Sequence, residues 1–349
     1  PFSNLGLIVV DEEHDASYKQ QDPAPRYQAR DAAAMLGRLH GAAVVLGSAT
    51  PSLEARHAVN AGKAAHIELT ERFGGTSLPE VGLIDLRKAH KQRAMEGHFS
   101  RELLDALKST LEAGKQAILF QNRRGFAPVY QCRTCGWVPD CERCDVSLTY
   151  HKYLRDLHCH YCGYRQGEPK TCPRCGSEEV EAKGLGTERI EEEVGQLLPG
   201  VTVQRMDLDT TRSRTGHERI IRAFEEGEIQ VLVGTQMVTK GLDFERVGLV
   251  GILQADHMLH FPDFRALERT FQLLTQVAGR AGRRGEQGQV LIQTFDPEHW
   301  VFQHVVTHDA QAMAEAELRE RESFAYPPVV RLIRLIMRHR DPHLTREAA

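Results

Sequence analysis

The stretch Leu5-Gly-Leu-Ile-Val-Val-Asp11-Glu12-Glu13-His14 joins a short run of apolar, mostly branched residues to three consecutive acids and a histidine. A continuous apolar run of that length, without alternation, reads as a strand buried on both faces of a parallel sheet. Acids at the carboxyl end of such a strand face the crevice in which α/β sheets bind their ligands. Asp11 suits a magnesium ion held through water, and Glu12 suits orienting or deprotonating an attacking water. The plain alternative is a polar turn capping a strand.

A second stretch, Gln276-Val-Ala-Gly-Arg-Ala-Gly-Arg283, lies far along the chain. On a helix its spacing puts the guanidinium groups of Arg280 and Arg283 on one face. The glycines leave room for a bulky anion, and the planar arginine fork clamps phosphate bidentately. Alone, an arginine-rich helix end equally describes a solvated face. Together the two stretches supply a metal site, a base and two arginines, which phosphoryl transfer requires.

Strand and helix patterns alternate between them. Residues 29–39 read as an amphipathic helix. Residues 44–46 read as a strand breaking into Gly47-Ser48-Ala49-Thr50-Pro51, with Thr50 as a helix N-cap and Pro51 in the first turn. Hydroxyls at that strand end suit bonding to the neighbouring acids, and a cap alone is the other reading. Before the helix, residues 15–27 form a proline-bearing loop. Its Tyr18, Lys19, Arg26 and Tyr27 suit stacking on bases and contact with phosphates of single-stranded nucleic acid, or a plain surface loop.

Residues 1–75 therefore form one α/β region. Residues 62–99 look transitional: Gly74-Gly75 and the basic run from Arg87 to Arg93 suggest a linker, set at residues 76–99. Residues 100–300 form a second α/β domain, with a helix over 100–113 and strands at 117–121, 201–206, 229–233 and 247–253. Residues 301–349 supply a connecting charged helix at 311–322, then a strand at 329–338 that begins something new. The chain opens inside a strand without an initiator methionine, so the expectation is a piece cut at both ends.

Of 349 residues, 41% are hydrophobic and 26% charged, as in ordinary globular proteins. No run is apolar enough to cross a membrane and no secretory signal is present. A net charge of −4 excludes a uniformly basic nucleic-acid coat but not a local basic groove. All eight cysteines fall between Cys132 and Cys175, in four CxxC pairs. Without an export signal that clustering favours metal over disulfides, and a reducing cytoplasm. Eight thiolates make two closed tetrahedral zinc sites, which are structural rather than catalytic. Only five residues separate Cys135 from Cys141, whereas fourteen separate Cys144 from Cys159. The spacing therefore pairs Cys141, Cys144, Cys159 and Cys162 on one zinc, and Cys132, Cys135, Cys172 and Cys175 on the other, within a module at 130–178. His158 and His160 remain possible substitutes. Trp137, Tyr150, Tyr153 and Tyr161 form the small core of this block or a partner surface, with core preferred.

Asp11-Glu-Glu-His14 resembles the Walker B box of superfamily 2 helicases, and Gly47-Ser-Ala-Thr50 resembles their third motif. Residues 234–243 resemble the fifth and residues 276–283 the sixth. With the double zinc block, Asn122-Arg-Arg-Gly125, Gly184-Leu-Gly-Thr-Glu188-Arg189 and Phe324-Ala-Tyr-Pro-Pro328, the chain is similar to the bacterial primosomal replication-restart helicases. The resemblance implies two RecA-like helicase lobes with parallel sheets and a double zinc-binding insertion in the second. It implies a 3′→5′ DNA helicase using ATP and Mg²⁺, acting on stalled forks and starting primosome assembly in the cytoplasm, at the nucleoid. Asp11 would hold magnesium and Glu12 would be the base. Gln276, Arg280 and Arg283 would meet the γ-phosphate. His14, Ser48, Thr50, Gly241 and Asp243 would couple nucleotide to motion. Tyr18, Lys19, Arg26 and Tyr27 would touch single-stranded DNA, and forked DNA, primosomal proteins and single-strand-binding protein would be partners. No GxxxxGK[ST] phosphate loop is present, so the chain alone is expected to hydrolyse ATP poorly or not at all. Another superfamily 2 motor, or a zinc-dependent scaffold without motor activity, is the competing reading.

Overall fold

A computed structural model describes residues 4–69, 77–122, 129–144, 146–151, 155–183, 186–207, 210–211, 214–239, 244–282, 287–333, 344 and 347. The chain divides into two units, residues 1–66 with 314–349 and residues 67–313.

In the first unit the apolar run forms strand β1 (Leu7–Val10), followed by helix α1 (Ala29–His40), strand β2 (Ala43–Leu46) and helix α2 (Leu53–Asn60). β1 and β2 pair in parallel, Leu7 opposite Ala43 through Val10 opposite Leu46. Gly37 of α1 lies against Val44 so closely that any Cβ would collide with its methyl. The cap of α2 corrects the sequence expectation. Ser52, not Thr50, is the N-cap, its hydroxyl accepting the Ala55 amide. Its neighbour Pro51 precedes the helix because the backbone of Ser52 is still extended.

The second unit begins with β3 (Glu80–Asp85) and α3 (Leu86–Lys91), then a hairpin of β4 (Met95–Glu96) and β5 (Phe99–Ser100). Next come α4 (Arg101–Glu112) and β6 (Gln116–Gln121). After β6 the chain leaves for five short strands, β7 (Val129–Cys132), β8 (Thr149–His151), β9 (Asp156–His158), β10 (Arg165–Gly167) and β11 (Val180–Lys183). It returns through α5 (Thr187–Leu197), β12 (Val203–Met206), α6 (Arg214–Glu226), β13 (Val231–Gly234) and β14 (Val247–Leu253). Helices α7 (Asp256–Leu259) and α8 (Ala266–Ala278), strand β15 (Gln289–Thr294), and helices α9 (Trp300–Thr307) and α10 (Ala310–Ser323) complete it, α10 running on into the first unit.

Six strands form one sheet in the order β12-β13-β6-β14-β15-β3. Every pair in it is parallel. Helices cover both faces, which is why β6, β13 and β14 read as continuous apolar runs. Successive residues alternate between two cores. Ile118, Phe120, Leu232, Val250 and Ile252 join one, and Ala117, Leu119, Val231, Val233 and Leu249 join the other. This is the parallel α/β architecture expected of a helicase lobe, with the cysteine-rich module inserted between β6 and α5.

Two expectations change here. Residues 80–85 lie in the part of the chain read as a linker, yet β3 pairs with β15 along its whole length as the sheet's edge strand. The basic run after it is α3, capped by Asp85, whose carboxylate accepts the amides of Arg87 and Lys88. The strand expected at 329–338 is not formed over its described residues, 329–333.

Candidate nucleotide site and zinc module

The acidic stretch is a turn pinned at several points to the end of β2. The Gly47 amide donates to Val10 O and the Glu13 amide to Gly47 O, at 2.8 and 3.0 Å, so the pairing continues past both strands. Between these anchors Glu12 adopts a left-handed φ of 47°, a conformation unfavourable for a side chain with a Cβ unless its surroundings impose it. The three acids then separate by burial. Asp11 is exposed, its Oδ1 accepting the Glu12 amide at 3.0 Å. Glu12 is half-buried, and its Oε2 accepts no hydrogen bond among the described residues.

Glu13 is 1% exposed. Its Oε1 accepts the Ser52 amide at 2.6 Å, and its Oε2 accepts the Ser52 hydroxyl at 2.9 Å and Arg30 Nη1 at 3.0 Å. Arg30 is itself 9% exposed, and the same Nη1 donates to Ser52 Oγ at 2.6 Å. Burial works against the Arg30 charge, but the Glu13 carboxylate outweighs it and holds the guanidinium above its ordinary value. Neither Glu13 nor Arg30 was among the sequence candidates. The signal lay in Ala29-Arg30-Asp31, a charged pair at the start of an otherwise small-residue helix face.

His14 Nδ1 and Ser48 Oγ are hydrogen-bonded at 2.7 Å, and Ser48 Oγ also accepts the Thr50 amide at 3.0 Å. His14 Nδ1 lies 3.4 Å from Glu12 Oε2. The expected hydroxyl-to-acid contact is thus made by Ser52, on Glu13, whereas Ser48 bonds the histidine. Tyr18 donates its hydroxyl to Asp11 O at 2.7 Å. The rest of the loop closes on itself: Gln20 N donates to Tyr27 O, and Lys19 Nζ donates to Arg26 O at 2.8 Å. Tyr27 and Arg26 are exposed.

In the second unit, Gln276 lies in the last turn of α8, and Gly279 ends the helix. Arg280 is in the turn beyond, off the helix; Arg283 lies outside the described residues, as do Gly241 and Asp243. The cause is glycine. Gly282 has a φ of 66° and donates its amide to Val247 O, pulling the chain back to the sheet. A Cβ on Gly288 would strike the Gly282 backbone, so this crossing admits no larger residue there.

The eight cysteines form two clusters with the membership read from spacing, Cys132, Cys135, Cys172, Cys175 and Cys141, Cys144, Cys159, Cys162. Sulfur pairs 132–175, 135–172 and 141–162 lie 3.7, 3.6 and 3.6 Å apart. Disulfide sulfurs would be about 2.05 Å apart, whereas a tetrahedral ion with bonds near 2.3 Å spaces its ligands by about 3.8 Å. These are zinc-binding clusters. Three knuckles share a device, Cys135-Gly136, Cys162-Gly163 and Cys175-Gly176, each glycine at φ 75°. Each glycine amide returns to the carbonyl of the first cysteine of its pair. The CxxC-Gly pattern that encodes it is legible in the sequence at three of the four pairs. His158 is not a ligand. It pairs with Asp156 at 2.6 Å and stacks on His151 at 4.2 Å. Burial pushes Cys135 and Cys144 up to about 12, while the Tyr164 backbone amide at the exposed Cys162 holds it down to about 7. Four such thiols become thiolates together only around a cation.

The module has its own core of Tyr130, Val146, Leu148 and Leu157, with Tyr150 packed against it. Tyr161, expected in that core, is 43% exposed and accepts the Phe264 amide on its hydroxyl oxygen at 3.3 Å; Tyr153 lies outside the described residues. Further contacts run from Gln131 to His257 and from Ser147 to His260, both at 3.2 Å. The module thus sits on the segment between β14 and α8, which sequence reading passed over.

Residues 141–166 match the model of the PriA DNA helicase Cys-rich region, and residues 184–285 match that of the helicase conserved C-terminal domain. Replication restart protein PriA of Bacillus subtilis (strain 168) is 46% identical over 341 residues, covering 98% of this chain and 42% of that protein. The protein of the same name from Treponema pallidum (strain Nichols) is 43% identical over 350 residues, covering 100% and 52%. The chain belongs to the PriA family. It spans about half the length of the PriA relatives it matches. A solved structure of RecG bound to a three-way DNA junction is similar with a TM-score of 0.45 and 14% identity, covering 92% of this chain and 31% of that one. Among the described residues no helix is long and apolar enough to cross a membrane.

Proposed function

We propose that the chain carries motor parts of an ATP-dependent 3′→5′ DNA helicase that recognises stalled replication forks and initiates primosome assembly. The observation that supports this most directly is the division among three consecutive acids. Glu13 is fully engaged, Asp11 is exposed, and Glu12 keeps a carboxylate oxygen without a hydrogen bond among the described residues. Asp11 would hold Mg²⁺ and Glu12 would take the proton of the attacking water. The metal supplies charge neutralisation on the phosphates of ATP when bound. Gln276, Arg280 and Arg283 would contact the γ-phosphate. The His14–Ser48–Thr50 chain, with Gly241 and Asp243, would report nucleotide state. Tyr18, Lys19, Arg26 and Tyr27 would contact single-stranded DNA; of these, Lys19, Arg26 and Tyr27 are exposed. The zinc clusters would be structural, presenting a surface to forked DNA, primosomal proteins and single-strand-binding protein in the cytoplasm, at the nucleoid.

The test is ATP hydrolysis by the full-length gene product with and without forked DNA. DNA should stimulate turnover, and Glu12→Gln should lower kcat by at least about a hundredfold. Equal turnover in the variant would transfer the base role elsewhere. No DNA-dependent turnover in zinc-loaded wild type would leave the scaffold reading.

A further inference from the structure

We infer that Glu13 and Arg30 are positioning residues for the hydrolytic base, holding Glu12 in its productive turn through Ser52. The inference rests on the reading of Glu12 as the base. Three acids in a row invite the view that they are interchangeable, but their environments differ in kind. Both Glu13 oxygens are occupied, by the Ser52 amide on one side and by the Ser52 hydroxyl and Arg30 on the other. The cluster is closed: Glu13, Ser52 and Arg30 are 1%, 4% and 9% exposed.

Its place in the fold gives it a task beyond cohesion. Ser52 follows β2 and caps α2, Arg30 lies in the first turn of α1, and Glu13 follows β1. One carboxylate therefore ties two strand ends and two helix starts. Glu12 is the single residue between that anchor and Asp11, whose carbonyl is held by Tyr18. Its φ of 47° is maintained only while both neighbours are fixed. Released from Ser52, the backbone at Glu12 can relax toward ordinary φ, which swings the carboxylate away from any fixed water position. A misplacement of about an ångström is enough to cost orders of magnitude in rate.

A purely stabilising role makes a different prediction. Buried ion pairs exchanged for apolar residues of similar size often leave stability unchanged or improved. The pair Glu13→Leu/Arg30→Met would then restore whatever a single substitution loses. Positioning cannot be restored that way, because leucine offers nothing to the Ser52 amide.

The experiment measures DNA-stimulated ATP hydrolysis and thermal unfolding of the full-length, zinc-loaded gene product as wild type, Glu13→Gln, Glu13→Leu/Arg30→Met and Arg30→Lys. Both Glu13 variants should lower kcat about tenfold or more while the KM for ATP stays within about twofold. Arg30→Lys should keep kcat within about threefold, since one nitrogen makes both contacts and an ammonium can replace it. Recovery of wild-type kcat in the double variant would overturn the inference, as would a change confined to KM. Should the double variant unfold, Glu13→Gln decides alone: full kcat in it sinks the idea. Wild type without turnover overturns the reading of Glu12 first, and this inference with it.

Discussion

Gly136 illustrates how single residues fit the zinc module to the lobe. It closes the first knuckle at φ 75°, and a Cβ there would lie 2.3 Å from Cβ of Phe295, just after β15. Gly163 has the same φ in another knuckle, with nothing within 4 Å of its Cβ position. Alanine at either position adopts an unfavourable left-handed conformation at a cost of about 1 kcal/mol, but only at Gly136 does overpacking add about 1–3 kcal/mol. Gly136→Ala should therefore lower the unfolding midpoint clearly more than Gly163→Ala in parallel calorimetric scans, and equal shifts would refute the close approach. The cysteines were fully legible because ligand spacing is local, so their partition into two clusters came out as read. The roles of the acids were only partly legible. Glu13 looks like its neighbours until Arg30 and Ser52, 17 and 39 residues away, close over it. Arg280 was misplaced on a helix because Gly279 and Gly282 act as terminators through a tertiary bond to Val247.

Helix α9 depends on the protonation of its cap. His299 is the N-cap residue, its Nδ1 accepting the Val301 amide at 3.3 Å, which requires that nitrogen unprotonated. Burial pushes this imidazole from 6.5 down to about 4; Asp296 acts in the opposite sense and His260 in the same sense as burial. A depressed histidine means that, between those values, the unfolded chain binds a proton the folded lobe refuses. Stability contributed by His299 is thus complete above about pH 6.5, falls on acidification and levels off below about pH 4, by about 3 kcal/mol in all. His299→Asn keeps a capping oxygen and has nothing to titrate. The wild-type and variant unfolding free energies, measured from pH 7 to 4, should converge in that sense, and parallel curves would contradict the cap's protonation. Sequence patterning found the buried strands β6 and β14 with nearly correct ends, since both faces are apolar. It missed β3, whose Glu80, Gly82 and Asp85 look like linker chemistry because an edge strand has only one neighbour, here β15.

At the scale of the molecule, two cores of very different size share the second unit. The sheet core is closed without the insertion: its central strands β6, β13 and β14 are buried on both faces by helices outside residues 130–178. The module's core is a handful of side chains, two of them the ligands Cys141 and Cys159. So small a cluster cannot offset the chain entropy of its ordered residues, and metal ligation must supply the difference. Its seat on the lobe combines the polar contacts of Gln131, Ser147 and Tyr161 with the close approach of Gly136 to Phe295. Metal content should be two zinc per chain by elemental analysis. Stripping both with a chelator should then abolish amide-exchange protection at Tyr130, Leu148 and Leu157 while Ile118, Leu232 and Val250 stay protected. Joint loss of protection would mean that the lobe folds around the module. Retention in both would mean that the knuckle turns, with their three left-handed glycines, hold without metal. Selective loss is the outcome demanded by the insertion's position: it interrupts the chain between β6 and α5 but places none of its described strands in the six-stranded sheet.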